Sequence, residues 1–198
     1  MQSIGMLRPL VVTDPGIEEA GILAQVLIAI GSGSTPVYRG VSPNPQLEAV
    51  TAALALYRTS SCDGIVAVGG GSALDAGKAV ALLASNPGPL SAYHVFQEAP
   101  RPVAERLPPL IAIPTTAGTG SEVSRGLAVA DAGGRAKIVI LHPRLFPAVA
   151  LCDPLLTVGL PPTLTAGTGV DVTGAKVRVV SLHRRAGRGS GRGPTEAG

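Results

Sequence analysis

The sequence predicts an α/β fold, a parallel sheet with helices on its flanks and a β-hairpin added near its end. Three observations lead there. Short stretches around 10–12, 65–68 and 110–113 are apolar at every position, the pattern of strands covered on both faces. Segments with helical spacing separate them, which implies right-handed crossovers between parallel strands. Glycine- and hydroxyl-rich turns follow two of the strands directly.

Taken in order, Leu7 to Thr13 reads as the first buried strand, and Asp14-Pro15-Gly16 turns it into a helix over 17–30. Asp14 thus stands at a strand's carboxyl end, the rim where open α/β sheets bind ligands. A carboxylate there accepts hydrogen bonds from a ribose diol and repels a 2′-phosphate, favouring NAD over NADP. The same residue also suits a plain turn or helix cap. Gly31 to Thr35 is a polar loop and Pro36 to Val41 a second strand. Pro43-Asn44-Pro45 opens a helix running through Tyr57, with Leu47, Val50, Leu54 and Tyr57 on one face.

The chain then reaches IVAVGGGSALDAGKAVALLA at 65–84. Ile65 to Val68 is a strand that Gly69, Gly70 and Gly71 end. Without Cβ atoms, such a turn lets a phosphate approach the amide N–H groups. Ser72 is the expected N-cap and Asp75 its capping-box partner, for a helix through Lys78, Val80 and Leu83. The free N–H groups and dipole of such a helix end attract anions. Two known phosphate motifs fail here. G-x-G-x-x-G would need a third glycine at Leu74, and a P-loop would need four residues between its glycines, where five separate Gly71 from Gly77. The competing explanation of the turn is tight strand-to-helix packing without a ligand.

Asn86 to Leu107 reads as loop with one helical turn near 91–96, and His94 as a surface histidine within it. Pro109 to Ile113 is another buried strand, and it opens into PTTAGTGSE at 114–122. Thr115, Thr116, Thr119 and Ser121 offer hydroxyls for a pyrophosphate and a nicotinamide ribose, although such clusters also simply make loops. Leu127 to Ala130 and Lys137 to Leu141 flank a turn of about five residues, a hairpin signature, with Lys137 facing a cofactor or solvent. Val149 to Cys152 is a last short strand, ended by Asp153-Pro154.

With 198 residues the chain can bury one good core, and no apolar run reaches the ~20 residues of a membrane span. MQSIGMLRPL lacks a signal-peptide pattern, so a cytoplasmic location is expected. Cys62 and Cys152 read as reduced core residues. The net charge of +3 hides a division: 10 Lys/Arg against 12 Asp/Glu through Ala175, then 6 against 1 from Lys176 onward. The basic character belongs to the tail, which argues against a nucleic-acid partner for the rest. The Arg-rich end itself is either solvated and disordered or a weak contact for RNA.

Four motifs together, TDPG at 13–16, CDGIVAVGGGSALDAGK at 62–78, PLIAIPTTAGTGSEVS at 109–124 and DPLLTVGLPPTLTAGTGVD at 153–171, resemble the iron-containing (group III) alcohol dehydrogenases. The likeness runs from Leu7 to Asp171. It implies a Rossmann-like cofactor domain of the dehydroquinate synthase-like type, followed by an all-helical domain holding Fe²⁺ or Zn²⁺. The resemblance makes Asp14 the adenosine-ribose acid, Gly70, Gly71 and Ser72 the pyrophosphate turn, and Asp75 a cofactor-side contact. Thr115, Thr116, Thr119 and Ser121 become phosphate and ribose donors, with Lys137 a further candidate. Asp171 matches the first metal ligand.

The chain departs from the family four residues later, where Ala175 stands in place of the second ligand, a histidine. An Asp and a His at i, i+4 would share a helix face and grip one ion; Asp with Ala cannot. His183, twelve residues on, is rotated off that face. These readings divide the chain into a cofactor domain at 1–160, the start of a helical metal-binding domain at 161–175 and a basic low-complexity tail at 176–198. The tail is expected to be a shifted or prematurely ended reading of a longer gene. Coding DNA across 170–175 that restores no Asp-x-x-x-His helix in another frame would refute this.

The expected activity is NAD-dependent, metal-dependent hydride transfer between a small alcohol or aldehyde and nicotinamide, with only the cofactor portion present and little turnover from it alone. A non-catalytic nucleotide-binding remnant and an RNA adapter acting through the tail are the competing classes. Glycerol-1-phosphate dehydrogenases and dehydroquinate synthases are other branches of the fold, against which PTTAGTGSE speaks. A homo-oligomer is compatible with all of these.

Overall fold

The computed structural model describes residues 1–31, 34–163 and 165–170. Five parallel strands form one sheet in the order β2-β1-β3-β4-β7: β1 Pro9–Val12, β2 Val37–Tyr38, β3 Gly64–Gly69, β4 Leu110–Pro114 and β7 Val149–Ala150. An antiparallel pair, β5 Gly126–Ala130 and β6 Lys137–Leu141, makes the predicted hairpin. β1, β3 and β4 are buried at every residue, so each strand divides its side chains between two cores.

Leu10, Val12, Ile65, Ala67, Leu110 and Ala112 pack toward α3 (Leu47–Thr59), α4 (Gly71–Ser85) and the hairpin. Val11, Val66, Val68, Ile111 and Ile113 face the other way, against α1 (Pro15–Glu19) and α2 (Ile22–Ile30). The chain therefore passes from β1 to β2 on one face and returns to β3 on the other. The strand order reverses between β1 and β3, and their carboxyl ends border the crevice where open sheets take ligands.

Several expectations need correction. The helix over 17–30 is two helices, because Gly21 adopts the left-handed conformation at φ 72° and starts α2 at a new angle. The second strand shrinks to two residues, and the helix after Pro43-Asn44-Pro45 starts at Leu47. Pro45 and Gln46 instead lie along β5: the Ala130 N–H donates to the Pro45 carbonyl at 2.8 Å, and Gln46 bridges to Ala130. His94 is partly buried rather than a free surface group, since the Val139 N–H donates to its Nδ1 at 3.0 Å and pins the segment before it to β6. Cys62 is partly buried, but Cys152 is exposed, because β7 stops at Ala150; both are free thiols.

Candidate functional site

The glycine turn closes over the carboxyl end of β3. Gly69 sits at φ 142°, and a Cβ there would come within 2.8 Å of Asp14 Oδ2 and 2.9 Å of the Ala73 Cβ. Only glycine fits that backbone, and its bareness lets Asp14 lie against the turn from the end of β1. The N-cap is Gly70 in extended conformation, with no side-chain cap. Ser72 is therefore the second helical residue. Asp75 lies too deep in the helix to be its partner, so the expected capping box is absent.

The consequence is an open helix end. Ala73 and Leu74 donate to the Gly70 carbonyl, whereas the N–H groups of Gly71 and Ser72 have no protein acceptor among the described residues. A 15-residue helix thus begins with two unengaged donors at the carboxyl rim of the sheet.

The hydroxyl loop faces this turn. β3 and β4 pair through Gly69 and Pro114, and the Thr115 N–H donates to the Gly69 carbonyl at 3.0 Å. A Cβ on Gly70 would stand 3.4 Å from Thr116 Oγ1, and one on Gly71 would stand 3.0 Å from the Thr119 methyl. The two motifs therefore occupy one rim and touch. Thr115 is buried, Thr116 half-buried and Thr119 exposed. Asp14 also caps α1, its Oδ1 accepting the Ile17 N–H at 3.2 Å, so its capping role is real and its other oxygen faces Gly69.

Behind the rim lies a second arrangement, with Asp75 and Lys78 one turn apart on α4. Lys78 is only 1% exposed, and its Nζ donates to the carbonyls of Ser121 at 2.6 Å, Gly126 at 2.8 Å and Ser124 at 3.0 Å, with Ser121 Oγ at 3.1 Å. Asp75 accepts the Ser121 hydroxyl at 2.6 Å and the Ala128 N–H at 2.9 Å. Lys78 at the Gly126 carbonyl and Asp75 at the Ala128 N–H do for β5 what a neighbouring strand would do. Pro45 completes the same edge at Ala130.

Burial dominates the electrostatics of this pair. It pushes the Asp75 carboxyl up, against the Ser121 and Ala128 hydrogen bonds and the nearby Lys78 and Lys137, and it pushes the Lys78 ammonium down, against Asp75 and Glu122. The Ser121 hydroxyl proton points at Asp75 rather than outward.

Between α4 and the hairpin is a cleft of about 420 Å³, bordered by Gly71, Ser72, Thr119, Asn44 and Lys137 among others. Lys137 Nζ donates to Asn44 Oδ1 at 3.1 Å across its mouth. Sequence reasoning missed Asn44 and treated Lys78 as a plain helix residue. The signal for Lys78 was a lone lysine inside AGKAVALLA, where burial demands partners. Asp171, the expected metal ligand, lies outside the described residues, as do Ala175 and the tail. Among the described residues no group of three or more His, Cys, Asp or Glu could hold a metal ion.

Comparison with known proteins bears on the family and the fold. The family model of iron-containing alcohol dehydrogenase matches residues 1–154. The 4-hydroxybutyrate dehydrogenase of Cupriavidus necator is 43% identical over 170 residues, covering 86% of this chain and 44% of that protein. The choline dehydrogenase of Bacillus subtilis (strain 168) is 37% identical over 171 residues, covering 85% and 42%. Among solved structures, sulfoacetaldehyde reductase from Bifidobacterium kashiwanohense in complex with NAD+ superimposes with TM-score 0.78 at 34% identity, over 86% of this chain and 44% of that one. The chain spans less than half the length of these relatives.

Proposed function

Because this chain belongs to the iron-containing alcohol dehydrogenase family, we propose that it is the dinucleotide-binding portion of an NAD-dependent alcohol dehydrogenase. The observation that carries this reading is the open first turn of α4, with the Gly71 and Ser72 N–H groups unengaged and Thr116 and Thr119 facing them. A pyrophosphate seated there takes those N–H groups, the helix dipole and the threonine hydroxyls as donors. Asp14, across the β1–β3 crevice, accepts the adenosine ribose diol and disfavours a 2′-phosphate. Lys137 and Asn44 reach the ligand from the hairpin side. Ser121 and Asp75 line the cleft beside them, and the buried Thr115 supports the rim from below. When bound, the nicotinamide supplies the hydride acceptor or donor.

The substrate class is a small alcohol or its aldehyde. The metal of the family, Fe²⁺ or Zn²⁺, has no site among the described residues, so no step is derived through one. Little or no turnover is expected from this chain alone. No helix among the described residues is long and apolar enough to cross a membrane. A cytoplasmic location fits this reading.

Calorimetry of the purified chain with NADH and with NADPH tests the proposal. NADH binding with NADPH weaker is the expected result. No heat with NADH refutes it, and robust alcohol oxidation with added metal would refute the expectation of low turnover. Binding and heat protection by NADH with no turnover at any metal supplement would favour the nucleotide-binding remnant.

A further inference from the structure

The Asp75–Lys78 pair reaches from α4 to the edge of a hairpin whose other members border the cleft. From the geometry we infer that Asp75 and Lys78 are positioning residues for the dinucleotide. They hold β5 against α4 and so set the distance between the glycine turn and Lys137; Lys78 does so from the buried side, and Asp75 from the wall of the cleft itself. This rests on the dinucleotide reading above.

The hairpin packs on the core beside α4 through apolar side chains such as Leu127 and Val129, and the polar part of its attachment to α4 comes from two side chains. Lys78 takes the Gly126 carbonyl at one end of β5, and Asp75 takes the Ala128 N–H two residues on. Ser121 ties the two together and anchors the end of the hydroxyl loop that begins at Thr115. On the far strand Lys137 pairs with Ala130 in the ladder and crosses the cleft to Asn44. A ligand between the Gly71 end of α4 and Lys137 therefore meets two walls whose spacing these internal bonds fix. Losing either charge leaves partly buried carbonyls or a partly buried N–H without a partner, and moving the hairpin outward to water is the relief open to it.

Three measurements on the full chain test this. In Lys78→Met and Asp75→Ala, hydrogen exchange at Ala128 should quicken while β3 and β4 remain protected. NADH should bind about tenfold more weakly in both variants. ADP, which needs only the Asp14 side and the turn, should change by less than about twofold. Lys137→Ala should weaken NADH binding in the otherwise unchanged chain and add nothing in Lys78→Met.

Asp75→Asn keeps one acceptor for the Ala128 N–H, so exchange there should quicken less than in Asp75→Ala, and Asp75→Ala serves where Lys78→Met is too unstable to titrate. Equal losses of ADP and NADH, unchanged exchange at Ala128, or additive effects of Lys78 and Lys137 would overturn the positioning role while leaving the dinucleotide reading intact. If the unmodified chain binds no NADH although Ala128 is released in the variants, the functional reading fails, and the positioning role with it.

Discussion

The first two turns of α4 treat their polar groups in opposite ways. At Gly71 and Ser72 the backbone donors are left open toward the rim, with no cap before them. One turn on, Asp75 and Lys78 are engaged at every polar atom, and no buried side-chain N or O among the described residues lacks a partner. The contrast separates donors left open to an incoming group from polar atoms spent on the protein itself. An open helix end costs little in water and offers much to an anion. Charges taken out of water are tolerable only when their hydrogen bonds are satisfied, and these two spend theirs on the wall that the open end faces.

The largest expected effect breaks the closed turn. Lys78→Met strips the Ser121, Ser124 and Gly126 carbonyls of their charged donor and should cost about 3 kcal/mol, read as a lower urea midpoint. Gly71→Val breaks the open turn instead. Its added atoms meet the Thr119 side chain, with the Cβ 3.0 Å from the nearest atom, and should cost about 1–3 kcal/mol of stability, with NADH binding lost in calorimetry.

Smaller effects sharpen the contrast. Asp14→Ala removes the cap of α1, worth about 1 kcal/mol, and should bring NADPH binding closer to NADH. Asp75→Asn tests the electrostatics. Burial raises the Asp75 carboxyl, so the folded chain holds that proton more tightly than the unfolded chain does, and raising pH from its ordinary 3.8 through the raised value removes stability. The asparagine variant should lack that slope in urea titrations across mildly acidic pH. The smallest effect is a control: Arg39 and Glu18 form an ion pair at 2.9 Å, both about half exposed, and Arg39→Ala should cost less than about 1 kcal/mol without changing NADH binding.

What the sequence revealed follows the same division. β1, β3 and β4 were legible because burial on both faces leaves no polar position in the strand, and the hairpin because its turn residues interrupt two apolar runs. Membership in the family was legible from long motifs. The open rim was legible as glycines and hydroxyls, although its cap was misread: Ser72 fits a capping pattern, but the strand carries the chain one residue further, and Gly70 enters the helix first. The break at Gly21 was hidden because Ile17 to Ile30 keeps its helical spacing across it. The roles of Asp75, Lys78 and His94 were not legible, since their partners lie 43 to 53 residues away. Local pattern carries no information on which distant edge a side chain will meet.

That an acid and a base on a helix serve as the neighbour of β5 has one more consequence. Along a strand's edge carbonyls and amides take turns, so sliding the hairpin by about one residue's rise, roughly 3.4 Å, would set a carbonyl against the carboxylate and an amide against the ammonium. The two charges thus act as a proofreading gauge, admitting the hairpin at a single setting and rejecting the next one along by repulsion.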